Sequence, residues 1–445
     1  MNNYNDFIKT KSFASKPAGF DPDLSDYPLF NYQVDITRWA CVRGKAAIFA
    51  DTGLGKTLMQ LSWADQVAKH TCGRVLILAP LAVKEQTIAE GGKFGIDMSL
   101  IDVMNYEQLH NIDASNYSGV VLDESSILKG MQGKIRRQCT EMFRLTQYRL
   151  SCTATPSPND FMELGTQCDF LGIMSQVEML AMFFVHDGGD TSKWRLKGHG
   201  KRKFFEWLAT WAIFITKPSD LGYDDVGHEL PPLIFHEHII ESGITDGLFA
   251  PIATGLLDRN RARRDTIAAR VDEAVTIANG MKGQCLIWCH LNDESALLKA
   301  AIDGCSEVTG SDTPEHKAAM LLGFSNGAVT KMVSKPRIAG FGMNFQSCNH
   351  MIFVGLSDSW EQFYQAVRRC WRYGQTKPVH VHIVSADIEG GVLTNIKRKE
   401  SQHKQLTREM IAVMKDKTLQ QLGKAKQEKA EYNNNRKMET PKWVA

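Results

Sequence analysis

The sequence predicts an α/β protein built from two tandem parallel sheets, each flanked by helices. Three observations carry that prediction. The chain has 445 residues, too many for one core and enough for two or three domains. Short apolar runs alternate with stretches of helical periodicity, as in buried parallel strands joined by crossover helices. A proline-marked break, "ELPPL" at 229–233, separates one such series from a second.

Residues 1–20 read as a loose N-terminal arm and 21–232 as the first α/β domain. In it, "KAAIFA" (45–50) is a buried strand. "TLMQLSWADQVAKH" (57–70) follows as a helix, with Leu58, Leu61, Ala64 and Ala68 at helical spacing. "RVLILAP" (74–80), "GVVLDE" (119–124) and "RLSCTATP" (149–156) are further strands, the first and last stopped by proline. Residues 161–215 read as a mostly helical region with a polar break at "HDGGDTSKWRLKGHGKR". The second series, 233–394, holds strands at "IFHEHII", "QCLIWCH", "TKMVS", "HMIFVG" and "VHVHIV". The remainder, 395–445, reads as a charged tail.

Composition narrows the function classes. Apolar residues make up 43% and charged residues 23%, as in soluble globular proteins. Net charge is only +2, so bulk charge does not single out a nucleic-acid binder. The tail from Asn395 holds 13 Lys/Arg and 6 Asp/Glu, a net of +7, which leaves 39 basic and 44 acidic residues, a net of −5, elsewhere. Ten cysteines show no CxxC pair, and Cys285 and Cys289 are the closest, which reads as buried thiols in a reducing cytoplasm rather than zinc ligands. The N-terminus "MNNYNDFIKT" has no apolar core for a signal peptide, and no apolar run suits a membrane span.

Four motifs carry chemistry, each at the carboxyl end of a strand or on the helix that would face it. In "ADTGLGKT", Gly53 and Gly55 let the backbone curl so that N–H groups point at phosphates. Lys56 would neutralise the β/γ-phosphates and Thr57 would hold Mg²⁺. Ala50 stands where GxxxxGK[ST] has its first glycine. In "VVLDESS", Asp123 and Glu124 supply one carboxylate for the metal and one to orient or deprotonate an attacking water. In "SCTATPSPND", the hydroxyls of Thr153 and Thr155 can link that site to a neighbouring domain. In "QFYQAVRRCWRYGQ", Arg369 and Arg372 share a helical face and can stabilise charge on a γ-phosphate, whereas Arg368 points elsewhere.

The four motifs in this order resemble those of the superfamily-two helicases, and within them the SWI/SNF-type ATPases, from about Leu29 to about Val384. "PLFNYQ" resembles the adenine-reading segment, with Gln33 in place of its glutamine. "LAPLAVKEQ", "MNYEQL", "LDESSILKG" with Lys129, "CTATP", "CLIWCHLNDE", "VTGS", "KPRIAGFGMNF" with Gly340, Gly342 and Asn344, and "QAVRRCWRYGQ" with Gln365 and Gln375 resemble the later motifs. The resemblance implies two RecA-like domains with ATP and Mg²⁺ between them. It places Gln33, Thr52, Gly53, Gly55, Lys56, Thr57, Gly342 and Gln365 around the nucleotide, Thr57 and Asp123 on the metal, and Lys56, Asp123, Glu124, Arg369 and Arg372 in catalysis. The compact form, including "WRLKGHGKRKFFEW", looks most like bacteriophage and prophage helicases. The departures are DESS for DEAH, Ala339 for a glycine, and Gln86-Thr87 where relatives carry a tryptophan nearby.

The implied function is an ATP-dependent DNA translocase or helicase acting on duplex or branched DNA without sequence preference. It would work in the cytoplasm (a host cytoplasm if phage-encoded), in phage-type replication, recombination or repair, with replication or recombination proteins as partners. The alternatives are an RNA-dependent ATPase and a non-catalytic ATP-gated clamp. The segment "SKWRLKGHGKRKFFEW" offers cations for phosphates and Trp194, Phe204 and Phe205 for bases, or else leads into a core helix. The tail could add phosphate affinity or be a plain solvated helix.

Overall fold

In the computed structural model the described residues are 17–423, apart from 130–132, 158–159, 188–189, 242–263, 340–342, 358 and 388–389. The first part runs α1 (Asn31–Arg43), β1 (Lys45–Ala50), α2 (Lys56–Thr71), β2 (Arg74–Ala79), α3 (Lys84–Lys93), β3 (Ile101–Asn105), β4 (Tyr117–Asp123), α4 (Lys134–Met142) and β5 (Tyr148–Cys152). It continues through α5 (Leu164–Leu171), α6 (Gln176–Phe183), β6 (Phe184–Asp187), β7 (Asp190–Leu196), α7 (Lys201–Leu208) and β8 (Ala212–Ile215). The second part holds β9 (Leu233–Ile240), α8 (Ile267–Gly280), β10 (Cys285–Trp288), α9 (Asn292–Ala301), β11 (Cys305–Val308) and α10 (Pro314–Ser325). It closes with β12 (Lys331–Ser334), α11 (Pro336–Ala339), β13 (His350–Val354), α12 (Trp360–Val367), β14 (Val379–Ala386) and α13 (Gly390–Gln421).

The strands form two six-stranded sheets, ordered β3-β2-β4-β5-β1-β8 and β11-β12-β10-β13-β14-β9, with every pairing parallel. This is the architecture of two tandem parallel α/β sheets that the sequence predicts. Both faces of each sheet are covered, which is why the central strands are apolar throughout. On the first sheet Ala46, Ile48, Val75 and Ile77 pack under α1 and α2, while Ala47, Phe49, Leu76 and Leu78 face α4 to α7. On the second sheet Leu286, Trp288, Met351 and Phe353 face α10 and α12, and Cys285, Ile287 and Ile352 face α8 and α9.

Three stretches differ from the sequence reading. Residues 161–215, read as mostly helical, also contain the β6–β7 hairpin and β8, an edge strand that pairs with β1 from Ala47↔Ala212 to Ala50↔Ile215. The end of the arm is docked: the backbone N–H groups of Ala18, Gly19 and Phe20 donate to Arg43, Val42 and Cys41, and Phe20 stacks on His70. The described part of the tail lies in α13, a 32-residue helix that is one of the forms read for it, but docked on the cores rather than solvated. It buries Val392 and Ile396 in the second core and Met410 and Met414 in the first, so one helix is anchored in both halves. Nine of the ten cysteines are buried, Cys72 being the exposed one, and all are free thiols. Among the described residues no helix is long and apolar enough to cross a membrane.

Candidate active site

Sheet order assembles the site. β4, β5 and β1 are neighbours, with Asp123 in register with Cys152 and Cys152 with Ile48. Three motifs distant in sequence therefore end side by side, about 5 Å per strand apart.

The loop after β1 turns through Gly53 (φ 94°) and Gly55 (φ 72°), a left-handed region closed to most side chains. Space also demands glycine here. A Cβ at Gly55 would sit 2.2 Å from the Gln33 side-chain nitrogen, and one at Gly53 would sit 3.0 Å from the Tyr373 backbone nitrogen. Gln33 is buried beneath the loop, where its amide donates to Leu54 O (3.0 Å) and its oxygen accepts from Phe30 N (2.9 Å). α2 starts at Lys56 and aims its N-terminal N–H groups into the loop. The Lys56 ammonium donates to the carbonyls of Ala50 (2.8 Å) and Asp51 (3.2 Å). Burial pulls its pKa down, while Glu124, Asp51 and Asp123 hold it up.

The acidic pair is buried. Asp123 accepts from the Gln60 amide at 2.8 Å, and its carbonyl accepts from the Tyr106 hydroxyl at 2.7 Å. Burial, with Glu124 adding to it, pushes the Asp123 carboxyl up to about 6. Gln60 lies one turn after Thr57 on α2, so Thr57 sits on the same face of the helix. Glu124 has a left-handed backbone, φ 50°, uncommon for a side chain of its kind and a mark of a position fixed by its surroundings. Its carboxylate accepts from the Thr153 hydroxyl at 3.2 Å.

The hydroxyl link to the second half is present. Thr155 N donates to Thr153 Oγ1 (3.1 Å), the Thr155 hydroxyl donates to Glu361 Oε1 (3.4 Å), and Gln365 Nε2 donates to Thr155 Oγ1 (3.2 Å). Arg369 then donates to Gln365 Oε1 (2.8 Å) and to the carbonyls of Gln365 and Met343. Burial lowers the Arg369 pKa and Glu124 opposes the shift, which places this guanidinium within the field of the acidic pair. Arg372 also donates to Met343 O (3.3 Å), and burial with Arg369 beside it pulls it down to about 10.

One residue reverses the sequence reading. Arg368 does not point elsewhere: it donates to the Thr52 carbonyl of the glycine loop and pairs with the Asp51 carboxylate at 3.2 Å. The Tyr364 hydroxyl also donates to Asp51, and the Arg368 guanidinium lies 5.0 Å from the Trp371 ring centroid. The sequence reading does not single out Glu361, Tyr364, His228 or Tyr373. Helical spacing contained part of the signal: Glu361, Gln365 and Arg369 step along one stripe of α12 and its cap, and Tyr364 and Arg368 along the next. Tyr373 and His228 (centroids 5.2 Å apart) join Phe30 and Tyr32 in an aromatic group beside Gly53. Gly340 and Gly342 lie outside the described residues.

Two of the three aromatics offered for base stacking belong to the core. Phe204 and Phe205 are fully buried, Lys197 donates to the carbonyls of Ala181 and Met182, and Lys201 pairs with Glu409 of α13. Trp194 packs on His186 across the hairpin.

Two clefts open between the halves. One, of about 1230 Å³, borders the glycine loop from Asp51 to Leu54 and is walled by Tyr364, Arg368, Tyr373 and α13. The other, of about 810 Å³, lies on the far side of the acidic pair between α3, Lys129, α10 and Arg337.

Residues 268–374 match the helicase conserved C-terminal domain. The matched stretch runs from α8 through β10 to β13 and takes in the arginine-bearing helix α12. Over 114 residues, 23% of the chain, it is 32% identical to the bifunctional helicase and thymine dioxygenase JBP2 of Leishmania braziliensis. The match spans 10% of that relative's length. The fold is also similar to the SWI2/SNF2 ATPase core of Sulfolobus solfataricus solved in complex with dsDNA, at 19% identity over 92% of this chain and 98% of that one, with a TM-score of 0.40.

The donor set fits ATP with Mg²⁺. Among the described residues no group of three or more His, Cys, Asp or Glu could hold a metal alone. A Mg²⁺ ion that keeps its waters and leans on substrate phosphates needs only a carboxylate and a hydroxyl, which Asp123 and Thr57 provide.

Proposed function

We propose that the protein is an ATP-dependent DNA translocase or helicase of superfamily two. The observation that carries this reading is the continuous chain from Glu124 through Thr153, Thr155 and Gln365 to Arg369, which joins a carboxylate of the first half to an arginine of the helicase C-terminal domain. Lys56, the N–H groups of the 53–57 loop and the N-terminus of α2 hold the phosphates, with Gln33 supporting the loop from below. Asp123 and Thr57 hold Mg²⁺, which screens phosphate charge when bound. Glu124 orients the attacking water and takes its proton, from a backbone position that its left-handed φ marks as fixed. Arg369, and Arg372 beside it, supply positive charge for the transition state from across the cleft. A residue that completes the site from the other half works only when the halves are closed, so hydrolysis is tied to domain motion.

The second cleft would take the nucleic-acid backbone, since Lys84, Lys129, Lys317 and Arg337 line it from both halves. Duplex or branched DNA is favoured over RNA by the SWI/SNF-type residues around Asn344 and Arg369. The resemblance of motifs and segments to bacteriophage helicases supports a role in phage-type replication, recombination or repair. Glu124→Gln tests the hydrolytic assignment. It should bind ATP as the wild type does while turnover falls by at least about a hundredfold. Surviving turnover removes Glu124 from its role.

A further inference from the structure

We propose that Glu361 is a positioning residue for Glu124, and that Lys129 is the cation through which bound nucleic acid releases it. The inference rests on the nucleotide-hydrolysis reading above and names how that site is regulated.

Glu361 is the second residue of α12, and its two oxygens meet different parts of the first half. One accepts from the Thr155 hydroxyl at 3.4 Å, and the other is paired with the Lys129 ammonium. The pair is unequal: the Glu361 side chain is 4% exposed and that of Lys129 is 39% exposed. The lysine can be reached from solvent and the carboxylate cannot. Both line the second cleft, and Glu124 forms part of the same wall. Lys84, Lys317 and Arg337 offer further cations for phosphates along that cleft, beside the carboxylates of Glu85, Glu107, Glu124 and Glu315.

The other end of the pair leads to the hydrolytic carboxylate. Glu361 holds the Thr155 hydroxyl, Thr155 N holds Thr153 Oγ1, and Thr153 holds Glu124. While Lys129 is paired, Glu361 is neutralised and this chain is pinned. A phosphate that takes the ammonium leaves a buried carboxylate without its cation, which is unfavourable. Glu361 must then move or find another donor, and Thr155, Thr153 and Glu124 are released with it. Occupancy of the nucleic-acid cleft is thereby felt at Glu124 with no direct contact between the two ligands. A static tether between the halves would behave differently: its loss would slow turnover equally with and without nucleic acid.

The test is steady-state ATP hydrolysis of the full chain at fixed low salt, with and without a mixed-sequence duplex oligonucleotide, in the wild type, Lys129→Ala, Lys129→Arg and Glu361→Gln. ATP KM and the salt dependence of duplex binding are measured alongside. The expected result is a raised basal rate and a stimulation ratio near one in Lys129→Ala and Glu361→Gln, with ATP KM unchanged and the wild-type ratio retained in Lys129→Arg. Lys129→Ala should also lose about one unit of the log–log salt slope, whereas Glu361→Gln keeps it. A wild-type ratio in both variants, or parallel falls in basal and stimulated rates, overturns the coupling alone. A wild type that duplex does not stimulate overturns the functional reading itself.

Discussion

Arg368→Ala separates this structure from its sequence reading most sharply. The substitution removes three contacts: the hydrogen bond to Thr52 O, the ion pair with Asp51 at 3.2 Å, and packing on Trp371 at 5.0 Å. The Arg368 side chain is 5% exposed and that of Asp51 is 22% exposed, so the pair is mostly shielded from water. Although burial works against its charge, Asp51 and Tyr364 hold the Arg368 guanidinium above the usual arginine range. Removing one partner of a buried pair costs about 3–5 kcal/mol; the residual exposure of Asp51 and its remaining Tyr364 hydroxyl reduce this to about 2 kcal/mol. That cost falls on the glycine loop and on closure of the halves over it, and about 2 kcal/mol is about thirtyfold in an equilibrium constant. Arg368→Ala should therefore raise the ATP KM by about that factor, and Arg368→Lys should fall between, since lysine keeps the charge but loses the fork and the stacking. The assay is steady-state hydrolysis against ATP concentration, with binding of a fluorescent ATP analogue as the check on KM. An unchanged KM in Arg368→Ala refutes the claim that this arginine holds the loop.

Other expectations follow from single contacts. Asp123 is raised to about 6, first by burial and then by Glu124, so the native state binds its proton more tightly than the unfolded chain. Stability should fall as pH rises from about 4 to about 6, by about 2–3 kcal/mol, and Asp123→Asn should melt higher than the wild type at pH near 8 but not at pH near 4 when scanned calorimetrically without nucleotide. His382 is pushed down to about 4, by burial first and then by His236, His238, His350 and His380. Its contribution is complete above about 6.5 and is lost as pH falls toward about 4, so His382→Gln should flatten the acid limb of the urea-unfolding free energy. Met410→Ala and Met414→Ala should each weaken the seat of α13 on the first core by about 2–3 kcal/mol, seen as faster tryptic cleavage within that helix; unchanged cleavage would mean that those side chains do not anchor it.

The central strands were readable because both faces of each sheet are covered, leaving unbroken apolar runs such as "KAAIFA" and "HMIFVG". The strands that escaped notice are short or lie at edges. β3 and β11 end their sheets and carry alternating or polar residues, and β8 is four residues set directly after an aromatic helix. The first-half site was legible since Gly53, Gly55, Lys56, Thr57, Asp123 and Glu124 depend on local spacing at strand ends. What the sequence withheld depends on how distant parts meet. Whether Arg368 or Arg369 reaches the glycine loop is set by the rotation of α12 against the first half. Phe204 and Phe205 have the same composition as stacking aromatics, but on α7 they share a buried face with Trp207 and Leu208 while Arg202 and Lys203 turn outward. The four apolar anchors of α13 are spread over a strongly charged stretch, too sparsely to stand out from a solvated tail.

The central claim is that ATP hydrolysis at the Lys56–Glu124 site is driven by DNA lying across the two halves. Its most direct test is the steady-state hydrolysis rate at fixed low salt with no nucleic acid, single-stranded DNA, duplex DNA, forked DNA and RNA in turn. The account predicts strong stimulation by duplex or forked DNA and little by RNA. Stimulation by RNA alone, or no hydrolysis under any of these conditions, would contradict it.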